Sequence, residues 1–395
     1  MTKITFIGAG STVFAKNVLG DILLTPAFGD AEIALYDIDK KRLQDSFQML
    51  YNIKEHYQCK TEIMVYHDRR EALKDASYVI NAAQIGGFEP CGVRDLELPR
   101  DRYGLRQTVG DTLGIGGIFR GLRTIPVLID MMHDMQDVCP KAWFINYVNP
   151  MAIVTGALLK EGGINTIGIC HSVQECIPEL FASLGLPEEG VRYKIAGINH
   201  MAWLLEVTRD GKDLYPLIKK LALEKEGKHD DMVRFEVMRR FGYYVTESSR
   251  HTAEYMPYWI KSSYPELIDR YNIPLDSYII NSRKRIGEWE KRRADLVDNP
   301  GLEHTRTKEY ASRIVEALET GIPYEFNGNV KNTGLIPNLP AEAIVEVPCI
   351  ADGTGIRPCY MGALPEHLAA LNRTNINVQL LTIQAAFSHK KEEVY

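Results

Sequence analysis

The sequence lacks any apolar run near the roughly 20 residues that a membrane-spanning helix needs. Its start, Met1 to Phe6, reads as a strand rather than as the apolar core of a signal peptide. Both absences lead us to expect a cytoplasmic protein without a membrane partner. Basic residues are not in excess: 46 Lys and Arg against 52 Asp and Glu give a formal net charge of −6, and no basic cluster is interleaved with aromatics. The electrostatic footprint of a nucleic-acid partner is therefore missing, and a small-molecule ligand is expected. The seven cysteines (59, 91, 139, 170, 176, 349 and 359) are odd in number and scattered, which excludes a disulfide framework and implies reduced thiols. Repeats, low-complexity tracts and obvious flexible linkers are absent too. What is present is a globular composition, 395 residues with 45% hydrophobic and 25% charged, long enough for two domains.

Apolar, β-branched runs at Ile4 to Gly8, Glu32 to Asp37, Glu62 to Tyr66, Ser77 to Ala82, Ala142 to Tyr147 and Asn165 to Cys170 predict six strands. Helical periodicity lies between them at Asn17 to Leu24, Lys40 to His56, Phe119 to Met135 and Ile153 to Leu159. This is the βαβ rhythm of a doubly wound parallel sheet. After about Gly197 it gives way to amphipathic stretches (Asp231 to Phe241, Ile286 to Val297) and late strand-like runs such as Ala343 to Val347. We therefore expect an α/β protein with a Rossmann-like doubly wound domain over residues 1–196 and an α+β domain over 197–395.

The opening Gly8-Ala9-Gly10-Ser11-Thr12 follows a strand and starts a helix, so its backbone N–H groups are placed to receive a pyrophosphate. Val13 stands where the third glycine of the full fingerprint belongs. Asp37 closes the second strand, where a carboxylate accepts from the ribose hydroxyls of NAD and repels the extra phosphate of NADP. In such sheets ligands bind beyond the carboxyl ends of the strands, which here carry Gln84-Ile85-Gly86-Gly87, Asn149-Pro150 and Cys170-His171-Ser172. Asn149-Pro150 resembles the Asn-Pro of lactate and malate dehydrogenases and keeps a 2-hydroxy acid dehydrogenase in view. Cys170 and the later His200 offer sulfur and nitrogen to a divalent metal, for which zinc is the natural first choice. As bare residues, without further context, they read first as a buried thiol and a satisfied core histidine.

Six segments together resemble glycoside hydrolase family 4: Gly8-Ala-Gly-Ser-Thr-Val-Phe, Gln84-Ile-Gly-Gly-Phe, Asp111-Thr-Leu-Gly-Ile-Gly-Gly-Ile, Asn146-Tyr-Val-Asn-Pro-Met, Cys170-His-Ser-Val and Gly197-Ile-Asn-His-Met-Ala. Cys170-His-Ser-Val-Gln, Tyr244-Val-Thr-Glu-Ser-Ser and Asn372-Arg-Thr-Asn-Ile-Asn are similar to its α-galactosidase (melibiase) branch. Such enzymes are exceptions to the paired-carboxylate scheme of glycosidases. The resemblance implies oxidation of the sugar at C3 by bound NAD, proton loss at C2, elimination of the C1 group, addition of water and return of the hydride. It implies Mn²⁺ held by Cys170 and His200, and NAD held by Gly8, Gly10, Ser11, Thr12, Asp37 and Gln84. Asn149 and Arg94 are implied as sugar contacts, Asp111 as an acid tuning the base, and His171 as the general acid. For the base, Glu247 and Tyr255 both stand open. The expected substrate is a small α-galactoside, with an α-glucosidase or α-glucuronidase of the same family as alternatives. A homodimer or homotetramer is expected, as is a C-terminus truncated relative to family members.

Overall fold

The computed structural model describes residues 1–394. Six strands, β1 (Lys3–Ile7), β2 (Glu32–Tyr36), β3 (Glu62–Tyr66), β4 (Tyr78–Asn81), β5 (Trp143–Asn146) and β6 (Asn165–Gly168), lie parallel in the order β3-β2-β1-β4-β5-β6. That is the doubly wound dinucleotide-binding order. All residues of β1 and β4 are buried, as the continuous apolar runs require of strands covered by helices on both faces. The first crossover helix, Thr12–Leu23, begins directly at the glycine turn, five residues before the periodicity suggests, because Ser11 and Thr12 carry no apolar signal. The second, Lys40–Tyr57, is N-capped by Asp39, whose side chain accepts from the Lys41 and Arg42 amides.

The second half supplies β7 (Val191–Ile198), β8 (Met201–Arg209), β9 (Lys212–Asp213), β10 (Tyr244–Val245), β11 (Tyr324–Lys331), β12 (Ile344–Asp352) and β13 (Gly355–Pro358). All pair antiparallel, and they continue the same sheet from the β6 edge. The junctions are narrow: Asn329 of β11 faces Gly168 of β6, and Glu346 of β12 faces Gly197 of β7. β7 and β8 form a hairpin closed by Asn199 and His200 alone. The amphipathic stretch Ile286 to Val297 is divided between the helices Ser277–Gly287 and Trp289–Leu296, which meet at Glu288. The helix His171–Leu184 is not announced by the sequence, since it starts immediately after Cys170 and contains Pro178. All seven cysteines are free, and among the described residues no helix is long and apolar enough to cross a membrane.

Candidate active site

The parallel topology brings the carboxyl ends of β1, β2, β4, β5 and β6 to one edge of the sheet, and the chemistry-bearing residues gather there. Gly8 lies at φ 86°, and a Cβ on it would come within 2.7 Å of the Ala82 carbonyl carbon. A Cβ on Gly10 would meet Asp37 Oδ2 at 2.8 Å. Both positions therefore require glycine for the close approach. The Gly10 amide donates to Asp37 Oδ2 (2.7 Å), and the Asp39 amide donates to Oδ1 (2.8 Å), which fixes the carboxylate beside the turn. Ser46 locks the start of the following helix by donating its hydroxyl to Ala9 O (2.5 Å), while its oxygen lies 3.1 Å from the Thr12 hydroxyl, which can donate to it. No side chain caps that helix at Ser11, so its first N–H groups remain available to an anion. Gln84 is exposed and donates to the Tyr278 hydroxyl at 3.0 Å.

Across the β6 edge, Cys170, His200 and Glu247 converge, with one donor atom from each lying within 4.8 Å of the others. Cys170 Sγ is 3.5 Å and Glu247 Oε2 is 3.6 Å from His200 Nε2. Two of the three occupy the left-handed region, His200 at φ 61° and Glu247 at φ 59°. Non-glycine residues visit that region at a cost of roughly 1–2 kcal/mol, a strain that concentrates at functional sites. Burial opposes the ionised Cys170 thiol, but the charge and hydrogen bond of His200 bring it down to about 7. His200 is in turn raised to about 10 against burial, mainly by Cys170 and Glu247. Glu247, penalised by burial, is held down to about 2 by His251 and His200. A thiolate, an imidazole and a carboxylate thus face one point, a donor set suited to a divalent cation. Buried atoms around it lack hydrogen-bond partners: His200 Nδ1, both side-chain atoms of Asn199, and Asp111 Oδ1. Such orphaned groups fit a site built to take a charged, hydroxyl-rich ligand.

The sequence model described as "Family 4 glycosyl hydrolase" matches residues 3–186, and that of the family's C-terminal domain matches residues 195–395. The chain belongs to glycosyl hydrolase family 4. An α-galactosidase of Bacillus subtilis (strain 168) is 62% identical over 396 residues, covering 100% of this chain and 91% of that protein. A solved Bacillus subtilis structure described as that of a candidate glucosidase superimposes with a TM-score of 0.88 at 26% identity, covering 100% of this chain and 94% of that one. A 6-phospho-α-glucosidase from gut microorganisms, solved with NAD and Mn²⁺, gives a TM-score of 0.82 at 23% identity, covering 99% and 91%. A malate dehydrogenase of Plasmodium falciparum shares the fold at a TM-score of 0.55 and 14% identity, with 100% of each chain covered.

Within this family 4 site, Asn149 Nδ2 donates to Asp111 Oδ2 at 3.0 Å, and Arg120 Nε holds the Asn149 carbonyl at 3.0 Å. His251, which sequence reasoning missed, stands between the two acids. Its Nε2 is 3.5 Å from Asp111 Oδ1, and its Nδ1 is 3.6 Å from Glu247 Oε1. Despite burial, His251 and Arg120 keep Asp111 well below the usual carboxylate range. The spacing His251-x₃-Tyr255 was the available signal, since residues four apart share a face of the helix Ser249–Tyr255, with Glu247 just ahead of its start. Tyr255 is buried, its ring 5.9 Å from that of His200, and burial pushes its phenol well above the ordinary value. Glu254 accepts from the Thr108, Val109 and Gly110 amides (2.6, 2.8 and 3.0 Å) and ties the loop carrying Asp111 to this helix. His171 is half-exposed and pairs with Glu309, another residue that sequence reasoning missed, at 2.8 Å. Burial lowers the His171 imidazole, but the Glu309 hydrogen bond and charge more than restore it. Arg94 is exposed on the helix Val93–Tyr103 and joins none of these hydrogen bonds.

Beneath the donor cluster, Glu346 is fully buried, accepting from Asn329 Nδ2 at 3.3 Å. Burial and then the Cys170 thiolate push its carboxyl up to about 8. The folded chain therefore binds this proton more tightly than the unfolded chain, whose Glu titrates near 4.3. Its contribution to stability is complete below about pH 4.3 and is lost as pH rises towards about 8, at up to ~1.4 kcal/mol per pH unit. Thermal melts in EDTA are expected to show Glu346→Gln losing less stability than the parent between pH 5 and about 8. Parallel pH profiles for the two proteins would contradict it.

Proposed function

We propose that this chain hydrolyses α-galactosides using NAD and Mn²⁺. The geometric observation that carries this is the convergence of the Cys170/His200/Glu247 donors on the sheet edge that also holds the Gly8–Gly10 turn and Asp37. The 62% identity to an α-galactosidase along the whole chain supports the choice of sugar. When bound, NAD supplies a reversible hydride acceptor for C3 of the sugar, and the divalent ion supplies Lewis-acid polarisation of its C2 and C3 oxygens.

The chain's own residues do the rest. The amides after Gly10 hold the pyrophosphate, Asp37 accepts from the ribose hydroxyls, and Gln84 borders the nicotinamide side. Cys170 and His200 hold the metal, with Glu247 as the third donor. Asn149 contacts the sugar hydroxyls, Arg94 is a further candidate contact to the sugar, and Asp111 acts through His251 on the region of the base. Tyr255, buried beside His200 but outside the donor set, takes the proton from C2. His171 gives a proton to the departing glycosidic oxygen. The division into an N-terminal and a C-terminal domain belongs to the same proposal, supported by the change from parallel to antiparallel pairing beyond β6; the boundary at 196/197 itself falls inside β7, Val191–Ile198. So does a cytoplasmic dimer or tetramer, for which light scattering measures the mass.

The test is release of galactose from p-nitrophenyl α-galactoside by the metal-stripped, nucleotide-free protein. Activity should appear only when both NAD⁺ and Mn²⁺ are returned, with no net NADH. Full activity without either refutes the proposal, and preference for α-glucosides or α-glucuronides redirects the substrate.

A further inference from the structure

Glu309 lies 138 residues from His171 in sequence, yet the fold builds a closed site for it. Its side chain is about nine-tenths buried, and one oxygen, Oε2, receives two groups: His171 Nε2 at 2.8 Å and the Tyr147 hydroxyl at 3.2 Å. The Tyr147 oxygen itself accepts from the Ala311 amide at 3.2 Å, so its own hydrogen is directed to Glu309. The Tyr147 ring stacks on the imidazole at 5.7 Å and 26°, and Phe14 meets both rings edge-on. The imidazole plane is therefore fixed by aromatic contacts and its in-plane orientation by Glu309.

The support continues behind it. The Glu309 amide donates to Thr307 Oγ1 (3.2 Å), and Thr307 donates through its amide and hydroxyl to Asp21 (2.8 and 2.7 Å). Asp21 is completely buried near the end of the helix that starts at the glycine turn, and it also pairs with His304 at 2.7 Å. Glu309 thus hangs from the same helix that frames the nucleotide turn.

We infer that Glu309 is a positioning residue that holds His171 as the Nε2–H tautomer, so that Nδ1 is the nitrogen left to exchange a proton with the glycosidic oxygen. A carboxylate only accepts, so Nε2 must carry the hydrogen that meets it. This rests on His171 acting as the acid in the proposed hydrolysis. As the acid, His171 is the imidazolium with a hydrogen on each nitrogen; Nε2–H stays on Glu309, the Nδ1 proton goes to the departing oxygen, and the neutral Nε2–H tautomer is left, whereas a misassigned tautomer disables such a group even when its geometry is intact.

Two measurements test it. In selectively ¹⁵N-histidine-labelled, metal-free protein, His171 is expected to show the hydrogen on Nε2. Assignment to Nδ1 overturns the inference, whatever the enzyme's substrate proves to be. In the NAD- and Mn²⁺-loaded enzyme, Glu309→Gln should lower kcat on melibiose, whose leaving group is the poorly acidic hydroxyl oxygen of a second sugar, about 10²-fold more than on p-nitrophenyl α-galactoside, with KM little changed. The aryl group departs without a proton, so only a defect in proton donation separates the substrates. Glu309→Asp, which keeps an acceptor-only group, should recover part of the melibiose rate. Equal losses on both substrates would make Glu309 a packing residue and overturn the inference. Absence of galactosidase activity in the parent would instead fail the proposed function.

Discussion

Cys170→Ser is expected to lower α-galactoside turnover by about 10³-fold and to weaken Mn²⁺ binding strongly. Metal polarisation of substrate oxygens is worth several kcal/mol, and each 1.4 kcal/mol is a factor of ten in rate. Serine keeps the size but cannot present a thiolate, so the donor set falls to an imidazole and a carboxylate. Titration followed by the electron paramagnetic signal of free Mn²⁺ measures the metal, and initial rates at saturating NAD⁺ measure the chemistry. The environment also makes the thiol selectively reactive. Burial raises Cys139 to about 11 and Cys176 and Cys349 to about 12, whereas Cys170 is brought down to about 7 despite burial. Iodoacetamide should therefore label Cys170 ahead of these buried thiols, and Mn²⁺ should protect it. Normal metal affinity in Cys170→Ser would show that the cluster is not the metal site.

The parts of this site that were legible in sequence are those whose signal is local. Gly8, Gly10 and Asp37 could be read because a strand, a tight turn and a second strand end each leave a short-range mark, and in the structure they meet through the Gly10–Asp37 hydrogen bond. Cys170 stood out as a polar residue just beyond an apolar strand, and His200 through the segment Gly197-Ile-Asn-His-Met-Ala, which the structure shows to be a two-residue hairpin turn. Glu309 left no such mark. Its partner is 138 residues away, and only the continuation of the sheet beyond β6, through Gly168 and Asn329, brings the second half against the first. Glu346 was hidden for a related reason: it sits in an apolar strand as one acid among valines, and its register opposite Gly197 is set by tertiary pairing. The roles of Glu247 and Tyr255 could not be separated from spacing alone, because both fall in one short stretch, Glu247 just ahead of the helix Ser249–Tyr255 and Tyr255 at its end. Only the donor distances divide them.

Tyr255→Phe is expected to reduce turnover by roughly 10²–10⁴-fold, the usual loss on removing a general base, and to stop exchange of the C2 hydrogen with solvent. The reasoning begins with the carboxylates. A displacement mechanism needs one carboxyl protonated and one ionised across the sugar. Here Asp111 and Glu247 flank a single imidazole, His251, at 3.5 and 3.6 Å, and both are held on the ionised side. Neither is arranged to give a proton to a leaving group, whereas C2 deprotonation after oxidation at C3 needs a base close to the metal donors but not one of them. Tyr255 meets that condition with its ring beside His200, and a bound cation would favour the phenolate that burial alone disfavours. Substrate deuterated at C2 should therefore lose its label to solvent during turnover by the parent enzyme and keep it in the Tyr255→Phe protein. Glu247→Gln should instead raise the Mn²⁺ concentration needed for activity while exchange persists at saturating metal. Because the C1 stereocentre is lost once the leaving group departs, β-linked aryl galactosides should also be cleaved slowly. Full retention of deuterium in galactose released by the parent enzyme would exclude elimination, and exchange that survives in Tyr255→Phe but not in Glu247→Gln would transfer the base to Glu247.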